Sequence, residues 1–152
     1  MVTDEVREGI NQSILCWLAT CSSSGEPNVS PKEIFHIWDR TTLLIANIAS
    51  PQSIGNIESN PNVCVAFVDI FVQKGYKLKG VASIIKRENP SYNIYVQPLS
   101  SLAGERYPIK SVIAVEVLKV ERVLAPSYRL YPETTEASQI ASAMKSYKVR
   151  PM

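Results

Sequence analysis

Residues 13–50 read SILCWLAT, C, SSSGEP, NVSPKEIFHIW, DR, TTLLIANIA, S. Ser13 to Thr20 is a continuous apolar run of strand length. Ser22 to Pro27 is rich in turn formers. Asn28 to Trp38 reads as one further strand, interrupted in character by Pro31. A proline inside a strand favours an edge or a bulge, where a missing N–H is tolerated. Asp39-Arg40 is a tight turn, and Thr41 to Ala49 is a third strand. Such short connections build antiparallel hairpins and leave no room for the crossover that a parallel pair requires.

The pattern continues on both sides. Upstream, Thr3 to Gln12 predicts a short helix, with Thr3 as cap, Asp4 and Glu5 in the first turn, and Val6 and Ile10 four apart. Downstream, Ser50-Pro51 opens a second helix with Ser at N-cap and Pro at N1. That helix ends near Asn60-Pro61, because the residue before proline resists helical dihedrals. Strands follow at Asn62 to Phe71, Lys77 to Ile85 and Ser111 to Val123. Residues 87–106 contain Pro90, Pro98 and Gly104 and read as loop, with a short helix around Leu99 to Ala103. A last helix is expected from about Thr135 to Tyr147, where Ala137, Ile140, Ala141 and Met144 share one face. The expected architecture is mainly β with flanking helices: six strands in a mostly antiparallel barrel.

Composition narrows the function. The chain has 152 residues, 45% hydrophobic and 20% charged, which suits a single globular domain. A net charge of +2 with scattered basic residues does not suggest a nucleic-acid partner. The apolar run Val63 to Val68 is too short to span a membrane, and no secretory leader is visible. Cys16, Cys21 and Cys64 form no disulfide framework, so a reducing, cytoplasmic setting is expected. The six glycines fit neither a dinucleotide fingerprint nor a phosphate loop. His36 is the single histidine, which disfavours metal hydrolysis and a catalytic triad.

Three features could carry chemistry. The N-terminus of the helix at Ser50 offers unpaired N–H groups suited to phosphate, with Ser50, Gln52, Ser53 and Asn56 beside them; ordinary capping by Ser50 accounts for the same residues. Val29-Ser30-Pro31-Lys32-Glu33 breaks an apolar strand and can present backbone groups and a cation to a ligand, or can simply protect an edge. Lys74, Lys77 and Lys79 cluster on one strand, whose simplest reading is a solvated face. Trp17, Phe35, Trp38 and Phe67 are expected in the core.

The segments GEPNVSPKE (25–33), LLIANIAS (43–50), NIESNPNV (56–63) and YKLKGVA (76–82) occur in a familiar order. Across residues 5–120 the chain resembles the pyridoxamine 5′-phosphate oxidase-like family of FMN-binding split barrels. It is more similar to the short members than to the vitamin B6 oxidase itself, whose arginine-rich C-terminal segment has no counterpart in SYKVRPM (146–152). The resemblance implies a six-stranded antiparallel split β-barrel and a homodimer with FMN at the interface. It implies a flavin ring between Ser30, Pro31, Lys32 and Glu33 on one side and Ala46, Asn47 and Ile48 on the other. The phosphate would sit by Ser50, Gln52, Ser53 and Asn56, and the strand carrying Lys77 and Lys79 would complete the site in the partner. Lys32, near the ring's N1/O2 edge, would favour the reduced anionic ring.

Many members carry a basic residue where this chain has Ser53, so either FMN binding is weaker or a counter-charge comes from Lys32, Arg129 or the partner. The implied activity is FMN-dependent oxidoreduction of an unknown substrate, with no protein acid or base required. The alternatives are a non-catalytic flavin-binding stress or redox-sensing module, or a barrel that uses deazaflavin; haem is disfavoured by the lone histidine.

Overall fold

A computed structural model describes residues 1–152. Seven strands form one antiparallel sheet: β1 (Cys16–Cys21), β2 (Pro27–Lys32), β3 (Phe35–Ile37), β4 (Thr42–Asn47), β5 (Asn62–Asp69), β6 (Lys74–Ile85) and β7 (Ser111–Leu124). Five helices accompany them: α1 (Asp4–Asn11), α2 (Pro51–Ser59), α3 (Tyr92–Ala103), α4 (Ser127–Leu130) and α5 (Glu136–Tyr147).

The strand order is β2-β1-β5-β6-β7-β4-β3. The two edge strands, β2 and β3, are consecutive in the chain, joined by Glu33 and Ile34 alone. The sheet must therefore curl until its edges meet, giving the half-barrel of a split-barrel fold. The strand expected over residues 28–38 is thus two strands, and the count is seven, not six. β2 pairs with β1 and places Pro31 opposite Trp17. It is an edge strand, where the missing N–H of Pro31 costs no ladder bond. Past the bend the chain joins the other edge, where β3 pairs with β4 and Ala46 N–H donates to Ile34 O at 2.9 Å.

Alternation along the strands fills the concave side. Cys16, Leu18, Val65, Phe67, Leu78, Ile113 and Val115 belong to one buried cluster, which α1 joins through Val6 and Ile10. Thr3 caps α1 by accepting from Val6 N–H at 3.3 Å. The rings of Phe35 and Phe67 meet edge-on, 5.1 Å between centroids. A second cluster lies on the convex side, where Tyr92, Leu99 and Ala103 of α3 cover Leu44, Ala46, Val112 and Ala114.

That burial explains α3 itself. Its twelve residues run straight through Pro98, whereas the sequence suggested loop and one short turn around 99–103. An interior proline costs a helix about 3 kcal/mol; burial of Leu99 returns about 1.5–3 kcal/mol, and burial of Tyr92 and Ala103 adds to it. Trp17 and Trp38 are also displaced from expectation. Both are exposed, because outward parity on β1 and the end of β3 place them on the surface, while Phe67 is fully buried. No helix is long and apolar enough to cross a membrane.

The longest hairpin, β6–β7, shifts register between Lys79 and Gly80. A Cβ on Gly80 would lie 1.9 Å from the carbonyl oxygen of Glu116. Gly80→Ala is expected to lower stability by about 2–3 kcal/mol through forced separation of the two strands. A thermal melt should fall by roughly 5–10 °C; an unchanged midpoint would show that the strands can part freely there.

Candidate functional site

The seam between β2 and β4 opens as a cleft of about 260 Å³. Its walls are Leu15, Ile34, Ala46 and Ile48, with Tyr107 on one side and Pro31, Lys32, Glu33, Ala49 and Ser50 around the rest. Six of the residues singled out in the sequence therefore share one cavity: Pro31, Lys32, Glu33, Ala46, Ile48 and Ser50.

At one end of the cleft is the N-terminus of α2. Pro51 has no N–H to satisfy, and Ile54 N–H reaches Ser50 O at 3.1 Å. The N–H groups of Gln52 and Ser53 have no acceptor in the chain, and no acidic residue lies in the first turn. Ser50 makes no side-chain cap bond. Its hydroxyl instead accepts from Lys32 Nζ at 2.5 Å. The serine expected to cap the helix accepts from a lysine instead, and the first N–H groups of α2 stay uncapped.

Lys32 is the last residue of β2 and, by strand parity, points inward; only 7% of its surface is exposed. No carboxylate pairs with it. Burial pushes its ammonium below the ordinary lysine range. Its cross-strand partner is Cys16. Burial drives that thiol up to about 12 from 9.0, against the pull of the Lys32 charge.

A thiol that keeps its proton in the folded state, and loses it more easily when unfolded, adds stability in full below pH 9. That stability drains as pH rises toward 12, at up to about 1.4 kcal/mol per pH unit. Cys16→Val should abolish this alkaline loss. The gap between variant and parent urea midpoints should therefore narrow or reverse between pH 8 and pH 10.5. A pH-independent gap would mean that the thiol is not shielded.

Behind the cleft lies a hydrogen-bonded layer. Ser30 and Ser53 hydroxyls are 3.1 Å apart. Asn56 Nδ2 donates to Thr20 Oγ1 at 3.0 Å and its Oδ1 accepts from Gln52 Nε2 at 3.2 Å. Ser30, Gln52, Ser53 and Asn56 are therefore brought together, but as a network fixing α2 to β1 and β2. Ser53 is 1% exposed, so its hydroxyl faces β2, away from solvent. Asn47 turns away from the cleft: its side chain donates to Ser111 Oγ at 2.9 Å and accepts from Ser50 N–H at 3.3 Å, which fixes the approach to α2.

Several positions were not legible in the sequence. Thr20 ends an apolar strand with no sign of its buried partners. Tyr107 comes from the segment after α3, and Leu15 from the one before β1. Of the cations considered for the helix end, Arg129 sits on α4, whose Tyr128 hydroxyl bonds Val72 O in the turn between β5 and β6. Lys77 and Lys79 face outward and, with Lys119, surround Glu121 at 3.3, 3.2 and 2.7 Å. Those ammonium groups hold the Glu121 carboxyl down at about 2. His36 lies on β3 outside the cleft lining; burial and then the Arg7 charge depress its pKa.

The site thus combines an apolar slot, a helix N-terminus and a buried cation, an arrangement suited to a flat apolar group that carries an anion. Comparison with known proteins agrees on the fold. HupZ of Group A Streptococcus is 28% identical, with 82% of this chain and 96% of that one covered at a TM-score of 0.70. An FMN-binding protein from Syntrophomonas wolfei is 15% identical, covering 80% and 86% at 0.69. HutZ, the heme storage protein of Vibrio cholerae, is 18% identical, covering 81% and 94% at 0.64. No curated protein matches the chain significantly. The profile of the pyridoxamine 5′-phosphate oxidase family, however, matches residues 2–126, more than four-fifths of the sequence. The chain belongs to the pyridoxamine 5′-phosphate oxidase family.

Proposed function

We propose that the chain is a cytoplasmic, homodimeric flavoprotein that holds FMN in the cleft between β2 and β4 and acts as an oxidoreductase. The observation that carries this reading is Lys32. A buried ammonium with no carboxylate beside it is costly unless something else supplies the negative charge. Its hydroxyl partner is the N-cap serine of a helix whose free N–H groups favour the same charge. The donor set therefore fits a phosphate monoester. Lys32, Ser50 and the N–H groups of Gln52 and Ser53 would hold it, while Ile34, Ala46 and Ile48 would line the ring.

Bound flavin would supply the hydride and electron transfer. The chain's own part is to orient, to exclude water along the apolar walls and to balance charge. Because Lys32 is tied to Ser50, its cation bears on the phosphate end more than on the ring. At about 260 Å³ the cleft lies just below the usual range for a small-molecule pocket, in keeping with a site that a second subunit deepens.

A second reading, flavin binding without turnover, is favoured by Ser53. The hydroxyl there is spent on Ser30, and PQSIGNIES contains no Lys or Arg, so the helix brings no cation of its own. A haem reading lacks a histidine in the cleft. The test is the visible spectrum of the purified protein before and after incubation with FMN and desalting. Retained flavin bands, followed by steady oxidation of a nicotinamide cofactor, support the oxidoreductase. Retained bands without turnover favour the second reading. A colourless protein that binds only deazaflavin, or nothing, overturns the FMN assignment.

A further inference from the structure

A second cavity lies away from the cleft and shares no lining residue with it. The turn between β5 and β6 supplies Phe71 and Val72, α5 supplies Ile140 and Met144, and the tail after α5 supplies Val149 and Pro151. Its volume is about 380 Å³, within the range of small-molecule sites. Polar contacts tie down the first half of α5: Lys74 Nζ lies 2.6 Å from the Glu136 carboxylate, and Gln139 Nε2 donates to Ser127 Oγ at 3.0 Å. The second half stands over the turn, with Ile140 and Met144 only half-buried. Phe71, Tyr147 and Val149 are exposed, and the rings of Phe71 and Tyr147 meet edge-on at 6.3 Å.

Two non-glycine residues in the chain have left-handed backbone, Gln73 at φ 54° and Lys148 at φ 56°. Both shape this cavity. Gln73 N–H donates to Asp69 O at 2.8 Å and closes the turn that presents Phe71 and Val72. Lys148 is the C-cap of α5, and Val149 N–H then donates to Met144 O at 3.0 Å, which folds the tail back over the helix. Residues other than glycine rarely adopt this conformation, and it collects at ligand sites, where the surrounding structure holds it. The lining carries two charges. Asp69 Oδ1 accepts from the N–H groups of Phe71 at 2.8 Å and Val72 at 3.2 Å, so that carboxylate is spent on the turn. Arg150 is exposed and makes no ion pair within the chain.

We infer that this cavity binds a linear aliphatic carboxylate, with the alkyl chain between the turn and α5 and the carboxylate at Arg150. Apolar walls with one free guanidinium complement that ligand in both shape and charge. Burial of the chain drives binding. The planar fork of the guanidinium matches the two carboxylate oxygens and orients the ligand. The site is independent of the flavin cleft, and it stands or falls without the FMN assignment.

The test follows the methyl NMR signals of Ile140, Met144 and Val149 in the full chain during titration with hexanoate, octanoate and decanoate. The signals should shift saturably. Affinity should rise about fifteenfold for each two carbons added, since each buried methylene contributes about fourfold. Arg150→Gln should weaken octanoate by about two- to fivefold, as for an exposed ion pair, and leave octanol unchanged. Val149→Asp, in the exposed tail, should abolish binding while circular dichroism stays unchanged. Absent shifts in the parent, equal affinity across the three chain lengths, or full binding by Val149→Asp overturns the inference. So does an Arg150→Gln variant that holds octanoate as tightly as the parent or loses octanol equally, since Arg150 then reads no carboxylate. Sedimentation of Val149→Asp beside the parent checks a different occupant. A parent that binds no carboxylate, and whose oligomer dissociates on this substitution, overturns the inference and assigns the cavity to a second copy of the chain.

Discussion

Lys32→Met is expected to abolish retention of FMN through desalting and to weaken its binding by roughly ten- to a hundredfold. The lysine is the one cation at the N-terminus of α2, and a charge-assisted hydrogen bond to phosphate is worth about 1.5–3 kcal/mol. The same substitution removes a buried charge that has only Ser50 for a partner. Methionine keeps the stem's volume and carries no charge to desolvate. The flavin-free protein should therefore be at least as stable as its parent in urea. That opposition separates a ligand-binding role from a structural one. Titration of FMN by fluorescence quenching measures the first, and the unfolding midpoint measures the second. Unchanged affinity would remove Lys32 from the site; a large loss of stability would make it a structural residue.

Phe67→Ala should be the most damaging single substitution in the core, costing about 3–5 kcal/mol. Phe67 is 0% exposed, and its ring meets Phe35 at 5.1 Å. β5 belongs to the half of the sheet that ends at β2, and β3 forms the opposite edge, so this contact joins the two halves across the barrel interior. Loss of the ring leaves a cavity at the point where curling is stabilised, and aromatic edge-to-face contacts add about 0.5–1.5 kcal/mol beyond buried area. For a chain of this length a melt should fall by roughly 10 °C or more. A drop of only a few degrees would show that the barrel is held closed elsewhere.

The same pair shows what the sequence could and could not say. Residue type marked Phe35 and Phe67 as interior, but it marked Trp17 and Trp38 equally, and both are exposed. Residue type sets a preference for burial; strand parity and the cover given by neighbouring elements decide it. α3 makes the same point from the other direction. Pro98 argued locally against a helix, and the apolar bed formed by Leu44, Val112 and Ala114 overrode it.

The site divides in a similar way. The helix N-terminus after Ser50 was legible because Ser-Pro fixes a helix start by local chemistry. The position of Lys32 was not. Whether it reached solvent, an edge or the helix end depended on a bend at Glu33 and Ile34 that moves the chain from one edge of the sheet to the other. The sequence by itself determined the antiparallel class, the start of α2 and the strands other than the division of residues 28–38 into β2 and β3, since these follow from periodicity, turn residues and caps acting over a few positions. Only the tertiary structure decided that the edges meet, that Lys32 binds the cap serine, and that Ser53 faces Ser30. Those contacts join residues 18 and 23 positions apart, and their free energy exists only once the sheet has curled.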